Sequence, residues 1–140
     1  MPKRIALKDK VLVDTSDLSN FARAVSFSSE HEQVDVSGFS STGVNEYLSG
    51  PTTQSVTVTF FGSYGTGEVH NTLYPIHKNR TSVAFAWRID QTASVSTTNP
   101  ELRGTVQLFS YGPGVTRGDV DTFDATFVNT DSTGLAFFTS

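Results

Sequence analysis

The sequence predicts an all-β domain, a β-sandwich or partly open barrel with one short flanking α-helix. Three observations carry that reading. Thr, Ser, Val and Gly dominate alongside eleven Phe, a composition that suits pleated, half-buried surfaces better than helices. Apolar residues recur with period two along most of the chain, whereas helical periodicity occurs once. At 140 residues the chain has the size of one domain, so residues 1–140 are read as a single unit.

The elements follow in order. Ile5, Leu7, Val11 and Val13 fall on odd positions against Arg4, Lys8 and Lys10 on even ones, which predicts a half-buried first strand with a basic outer face. Asp14-Thr-Ser-Asp17 is a turn cluster. Phe21, Val25 and Phe27 alternate with small residues, and the apolar phase then moves to even positions at Val34 and Val36. Since a strand keeps its phase unless interrupted, a turn or bulge is expected around residues 28–32. Residues 38–53 hold three Gly and a Pro without sustained periodicity and read as a long connecting loop. Loops of that length in a compact domain usually have a task. Phe39, Tyr47 and Leu48 are too apolar for a solvated linker, so docking onto this subunit or onto a neighbour is expected.

Val56, Val58 and Phe60 mark the next strand, ending near Gly62. From Glu68 to His77, Val69, Leu73 and Ile76 fall at i, i+4 and i+7. An acid at the amino end and His77-Lys78 at the carboxyl end complete the pattern of a short helix. Pro75 predicts a kink or fraying near Tyr74. Val83, Phe85, Trp87 and Ile89 give the clearest strand, with the Trp face toward the core. Residues 91–101 read as a hairpin connection, and Leu102–Tyr111 as a strand covered on both faces. Gly112-Pro-Gly114 reads as a turn. Phe123, Ala125 and Phe127 form another alternating strand, and the run from Leu135 to Phe138 a last one.

Charge narrows the functions. The net charge is −4. Lys3, Arg4, Lys8 and Lys10 stand against Asp9 alone, leaving six cations and thirteen acids, a balance of −7, from residue 11 onward. Nucleic-acid affinity comes largely from neutralising phosphates, so an acidic body predicts no specific DNA binding. No cysteine is present, which removes disulfides, thiolate metal sites and a Cys nucleophile. No stretch reads as a signal peptide or a bilayer span.

Chemistry-bearing patterns are equally sparse. His31, His70 and His77 lack metal-ligand spacing, so no metal or other cofactor is expected. The pairs Glu30/Glu32 and Asp119/Asp121 read as solvated acids on strand faces. No Gly-x-Ser-x-Gly elbow supports a serine nucleophile. Gly62-Ser-Tyr-Gly-Thr-Gly67 lacks the lysine and spacing of a phosphate cradle and reads as a strand-to-helix turn. The chain is not expected to be an enzyme.

Several segments taken together resemble the tail tube proteins of long-tailed bacteriophages. They are Asp14-Thr-Ser-Asp-Leu-Ser-Asn20, Val25-Ser-Phe27, Glu30-His-Glu-Gln-Val-Asp-Val36, Gly38-Phe-Ser-Ser-Thr-Gly43 and Ser55-Val-Thr-Val-Thr-Phe60. The likeness covers about half the chain directly, and the helix and later strands continue it more loosely. It implies a structural virion protein of the tail, made in the host cytoplasm. Copies would self-associate into hexameric rings stacked as a tube through which DNA passes without specific binding or contact with a membrane. Tape-measure and terminator proteins are the further partners it implies. Within that picture, Phe39, Tyr47 and Leu48 are the candidate contacts between rings, and Glu30, Glu32 and Asp35 the candidate acids facing the channel.

Two other readings remain beside it. One is a related neck, terminator or decoration component. The other is a carbohydrate- or protein-binding β-sandwich, in which Tyr47, Tyr64, Tyr74 and Tyr111 would need to share one accessible face.

Overall fold

The computed structural model describes residues 8–39 and 42–140. Eight strands and one helix follow in the order β1 (Lys10–Val13), β2 (Ser16–Asp17), β3 (Ala22–Asp35), β4 (Tyr47–Phe61), α1 (Val69–Asn79), β5 (Ser82–Arg88), β6 (Glu101–Gly114), β7 (Thr122–Asn129) and β8 (Ala136–Phe138). Every pairing is antiparallel, in the order β2-β1-β5-β6-β7-β4-β3, with β8 also on β6. The two ends of that order, β2 and β3, are joined by only the four residues Leu18–Phe21. A flat sheet could not satisfy so short a link, so the sheet curls around a common core as a partly open barrel.

Alternation supplies that core. Val11 and Val13, Val56, Val58 and Phe60, Val83 and Phe85, and Phe123, Ala125 and Phe127 are all buried. They meet Leu102, Val106 and Leu108 of β6 and Val69, Leu73 and Ile76 of α1 in one cluster. Phe85 and Phe127 meet at 5.4 Å between ring centroids. Trp87, half-buried on the predicted core face, donates its indole N–H to Asp9 Oδ2 at 2.8 Å. Of the predicted first strand, Ile5 and Leu7 lie outside the described residues, as do Lys3 and Arg4.

α1 begins where Gly65 and Ser63 hold the Glu68 carboxylate. Gly65 N donates to it at 2.8 Å and Ser63 Oγ bonds it closely. These bonds, Ser63 first, lower the Glu68 pKa below its ordinary value. The fraying expected near Tyr74 is corrected. The helix passes through Pro75 and ends at Asn79, because Leu73 and Ile76 anchor both sides of it in the core. Arg80 closes the helix in the left-handed region at φ 55°, with Thr81 N donating to Ile76 O at 3.2 Å.

Five further corrections share one origin, the behaviour of strands beyond the core. The loop expected over 38–53 is shorter, since residues 47–53 are strand, with Tyr47 opposite Asp35 and Leu48 opposite Val34. β3 and β4 thereby form a two-stranded arm whose outer part touches no core. Val34 and Val36 are exposed, not core. The interruption near residue 32 lies in the other strand: between the His31–Thr52 and Gln33–Ser49 pairs β3 advances two residues and β4 three. Gly50-Pro51 therefore forms a bulge in β4, and β3 keeps its phase. Gly112-Pro-Gly114 is the end of β6, not a turn, and Pro113 is tolerated because β5 stops opposite Gln107 and leaves that side of β6 open. Finally, β6 is not covered on both faces throughout, because a bulge between Leu108 and Ser110 turns Phe109 out to solvent.

On the reverse of β5 and β6, Glu101 is 5% exposed. Arg88 Nε donates to one carboxylate oxygen at 2.8 Å and Arg103 Nε to the other at 2.5 Å. Burial by itself would raise this pKa. The hydrogen bonds and charges of Arg103 and Arg88 outweigh burial and hold the carboxyl below its ordinary range. The loop from residue 89 to 100 closes on Asn99, whose amide donates to Asp90 O, Ala93 O and Ser94 O at 3.1–3.2 Å while its oxygen accepts from Asp90 N at 3.0 Å.

Candidate assembly interface

The later half of β6 with β7, β4 and β3 makes a four-stranded wall. Its inner face is core. On its outer face lie Ser26 and Ser28 of β3, Ser55, Thr57 and Thr59 of β4, Asp124 and Thr126 of β7, and Ser110 and Gly112 of β6, aligned by the pairings Ser26–Thr57, Thr57–Thr126 and Ser110–Thr126. Thr59 Oγ1 donates to Asp124 Oδ1 at 3.0 Å. Among the described residues whose alternation sets them on this face, none is Lys or Arg. Short hydroxyls and the acids Asp124, Glu30 and Glu32 prevail on this face, which gives it little attraction for a polyanion.

Both margins of the wall are open. β3 pairs only with β4, and Leu108–Gly114 of β6 have a strand on the β7 side alone. Helix α1 lies against that second margin, where His77 Nδ1 donates to Leu108 O at 3.0 Å. Open margins of this kind present backbone donors and acceptors to another chain.

The arm extends the β3 margin. Tyr47, Leu48, Val34, Val36, Val44 and Phe39 are all exposed on it, Leu48 at 61%. The connection at its far end is tied by Ser37, which donates its amide to Asp35 Oδ1 at 2.8 Å and accepts Glu46 N at 2.7 Å through Oγ. The Ser37 side-chain and backbone bonds lower the Asp35 pKa. The predicted acids separate here. Glu30 continues the Ser26/Ser28 face, and Glu32 follows it, since a Cβ on Gly50 would touch both Glu32 Cβ at 3.0 Å and Val34 at 3.1 Å. Asp35, of opposite parity, sits on the reverse with Tyr47. The candidate contact residues Tyr47 and Leu48 likewise face opposite ways, and Phe39 lies in the tip beyond them.

Sequence reading missed the groove at the other end of the same ribbon. Between Ala22–Phe60 and Ala24–Thr59, β3 advances two residues and β4 one, which expels Arg23 as a bulge. Its guanidinium lies 6.0 Å from the Phe61 ring centroid. No periodicity signals such a bulge, because Arg23 falls between two alanines.

The tyrosines do not share one face. Tyr47 is on the arm, while Tyr64, Tyr74 and Tyr111 gather around His70 beside Phe123. Their rings pack on one another: His70 stacks on Tyr74 at 5.3 Å and its Nδ1 bonds Tyr111 Oη at 2.9 Å. Burial, followed by the nearby Tyr64, pushes the Tyr111 pKa up to about 12. This is a packed seam joining α1 to β6. Among the described residues no group of three or more His, Asp or Glu could hold a metal ion, and no helix is long and apolar enough to cross a membrane.

No family model matches the sequence, and no curated protein matches it. Solved structures do match. A chain of the virion of a native gene transfer agent particle superposes with a TM-score of 0.75 at 15% identity, covering 97% of this chain and 99% of that one. The SPP1 tail tube, from solid-state NMR and cryo-electron microscopy, gives 0.70 at 13% identity, over 95% of this chain and 77% of that one. This is a tail tube fold. A chain from the tail of an empty gene transfer agent particle, refined helically with C6 symmetry, adds a TM-score of 0.67 at 17% identity over 84% and 82% of the two chains. The match to the SPP1 tail tube, at 95% coverage, takes in nearly the whole chain.

Proposed function

We propose that this chain is a structural virion protein that self-assembles into rings, six copies to a ring, stacked as the tube of a phage tail. The observation that carries the reading is the four-stranded wall with two open margins. Along β6, β7, β4 and β3 successive strands alternate in direction, so β3 of one copy placed beside β6 of the next is again antiparallel. The same junction can therefore repeat around a closed ring without a mismatch. The open margins then serve as the joint instead of an aggregation hazard.

With the wall turned inward, the channel lining is mostly Ser and Thr with Glu30, Glu32 and Asp124, and few phosphates are neutralised as DNA slides past. Asp35 lies on the other side of the arm and leaves the proposed lining. The C6 symmetry of the similar gene transfer agent tail supports six copies. The arm, with Phe39, Tyr47 and Leu48, makes the contact between rings. Tape-measure and terminator proteins are the further partners, the tail of the virion is the location, and the role needs neither catalysis nor a cofactor.

Negative-stain microscopy across a concentration series, with light scattering for mass, tests this directly. Rings and hollow tubes are expected. A monomer at every concentration would sink the tube reading, and rings that never stack would transfer the chain to a neck or terminator role.

A further inference from the structure

We infer that the groove at the base of the β3–β4 ribbon is the socket for the arm of a second copy, so that copies add head to tail along the strand direction. The inference rests on the tube reading and specifies its contact between rings.

The groove measures about 740 Å³ and is lined by Phe61, Val115, Val120 and Thr122, with Arg23 as its one cation and Asp119 as its one acid. Val115 is 71% exposed, Val120 66% and Phe61 38%. Three apolar side chains thus surround a concavity with little covering them, beside an arginine expelled by a bulge. The arm offers the complement. Val34, Val44, Tyr47 and Leu48 are exposed on it, and among its described residues the acids Glu30, Glu32, Asp35 and Glu46 are accompanied by no Lys or Arg. Arg23 in the groove answers those acids.

Geometry excludes the arm of the same copy. Arm and groove occupy opposite ends of one ribbon, with Asp35–Tyr47 at one end and Ala22–Phe60 at the other. A strand of this length spans about 45 Å at ~3.3 Å per residue, and a paired ribbon cannot fold back on itself. Another copy displaced along the ribbon can fill the groove. Such a contact joins different surfaces on the two partners and does not close, so it propagates. It is therefore suited to stacking rings, whereas the open sheet margins are suited to closing them.

The absence of cysteine makes the test clean. Leu48→Cys and Val120→Cys are combined in one chain, assembled, and treated with a short bis-maleimide that tolerates a few ångströms of misplacement. A ladder of covalent oligomers is expected from the double variant and none from either single one. Tubes visible by microscopy but yielding no ladder would overturn the socket and leave the tube reading standing. An unsubstituted chain that forms no tubes would overturn both. Independently, Val120→Asp should raise the concentration needed for tubes by about tenfold or more while rings and melting temperature are retained; unaltered tube formation would likewise reject the socket.

Discussion

Between Val56 and Phe60, β4 alternates fully buried side chains with Thr, whereas a few residues earlier the same strand carries Tyr47 and Leu48 in solvent on opposite faces. Both stretches have the same hydrogen-bonded partner, β3. What differs is the presence of a core behind one and not the other. Alternation is the imprint of a core on a strand, and it fades where burial ends even though the pairing continues. The body therefore stores stability, and the arm holds apolar surface that only a second molecule can cover.

Substitutions can sharpen or break this contrast. The largest effect is expected in the body: Phe127→Ala removes a fully buried ring that meets Phe85 and should cost about 3–5 kcal/mol, read from denaturant midpoints. A loss below 1 kcal/mol would mean that the core is not what holds the body together.

Glu101→Gln should cost about 1.5–3 kcal/mol near neutral pH, the range for hydrogen bonds to charged groups. Because the carboxyl is held below its ordinary value, its contribution is fully present above the usual glutamate range near ~4.3. It is lost as pH falls through the lowered folded value. Melting curves of the two proteins should accordingly draw together as the pH falls below the ordinary glutamate range; a gap that widens on acidification would contradict the ion-pair account.

Arg80→Gly works in the other direction. The αL position at φ 55° strains a side chain that glycine lacks, so a gain of about 0.5–1 kcal/mol is expected, measurable as a rise in melting temperature. The smallest effect on stability belongs to the arm. Tyr47→Ala should change monomer stability by less than about 0.5 kcal/mol while abolishing polymerisation in light scattering. A lowered melting temperature with intact assembly would reverse the division of labour between the two regions.

Where alternation was strong, the sequence was legible: Val83 to Trp87, Phe123 to Phe127 and Val56 to Phe60 are strands with the expected faces inward. The helix was legible from Val69, Leu73 and Ile76, although Pro75 suggested an earlier disturbance than the core permits. The start of β4 was not, because a ribbon exposed on both faces has no reason to alternate and Gly50-Pro51 resembles a turn. Of the candidate residues, the apolar character of Phe39, Tyr47 and Leu48 could be read from the chain, but the separation of Asp35 from Glu30 and Glu32 required the register of the arm.

By itself, then, the sequence determined the class of fold, the acidic body and the apolar loading of one connecting segment, since these depend on composition and local period. Tertiary structure decided which edges stay open, where the bulges at Arg23, Gly50-Pro51 and Phe109 fall, and that arm and groove stand at opposite ends of one ribbon. Those features depend on pairing between strands remote in sequence. A single residue gained or lost in register there turns a side chain to the other face and leaves the composition unchanged.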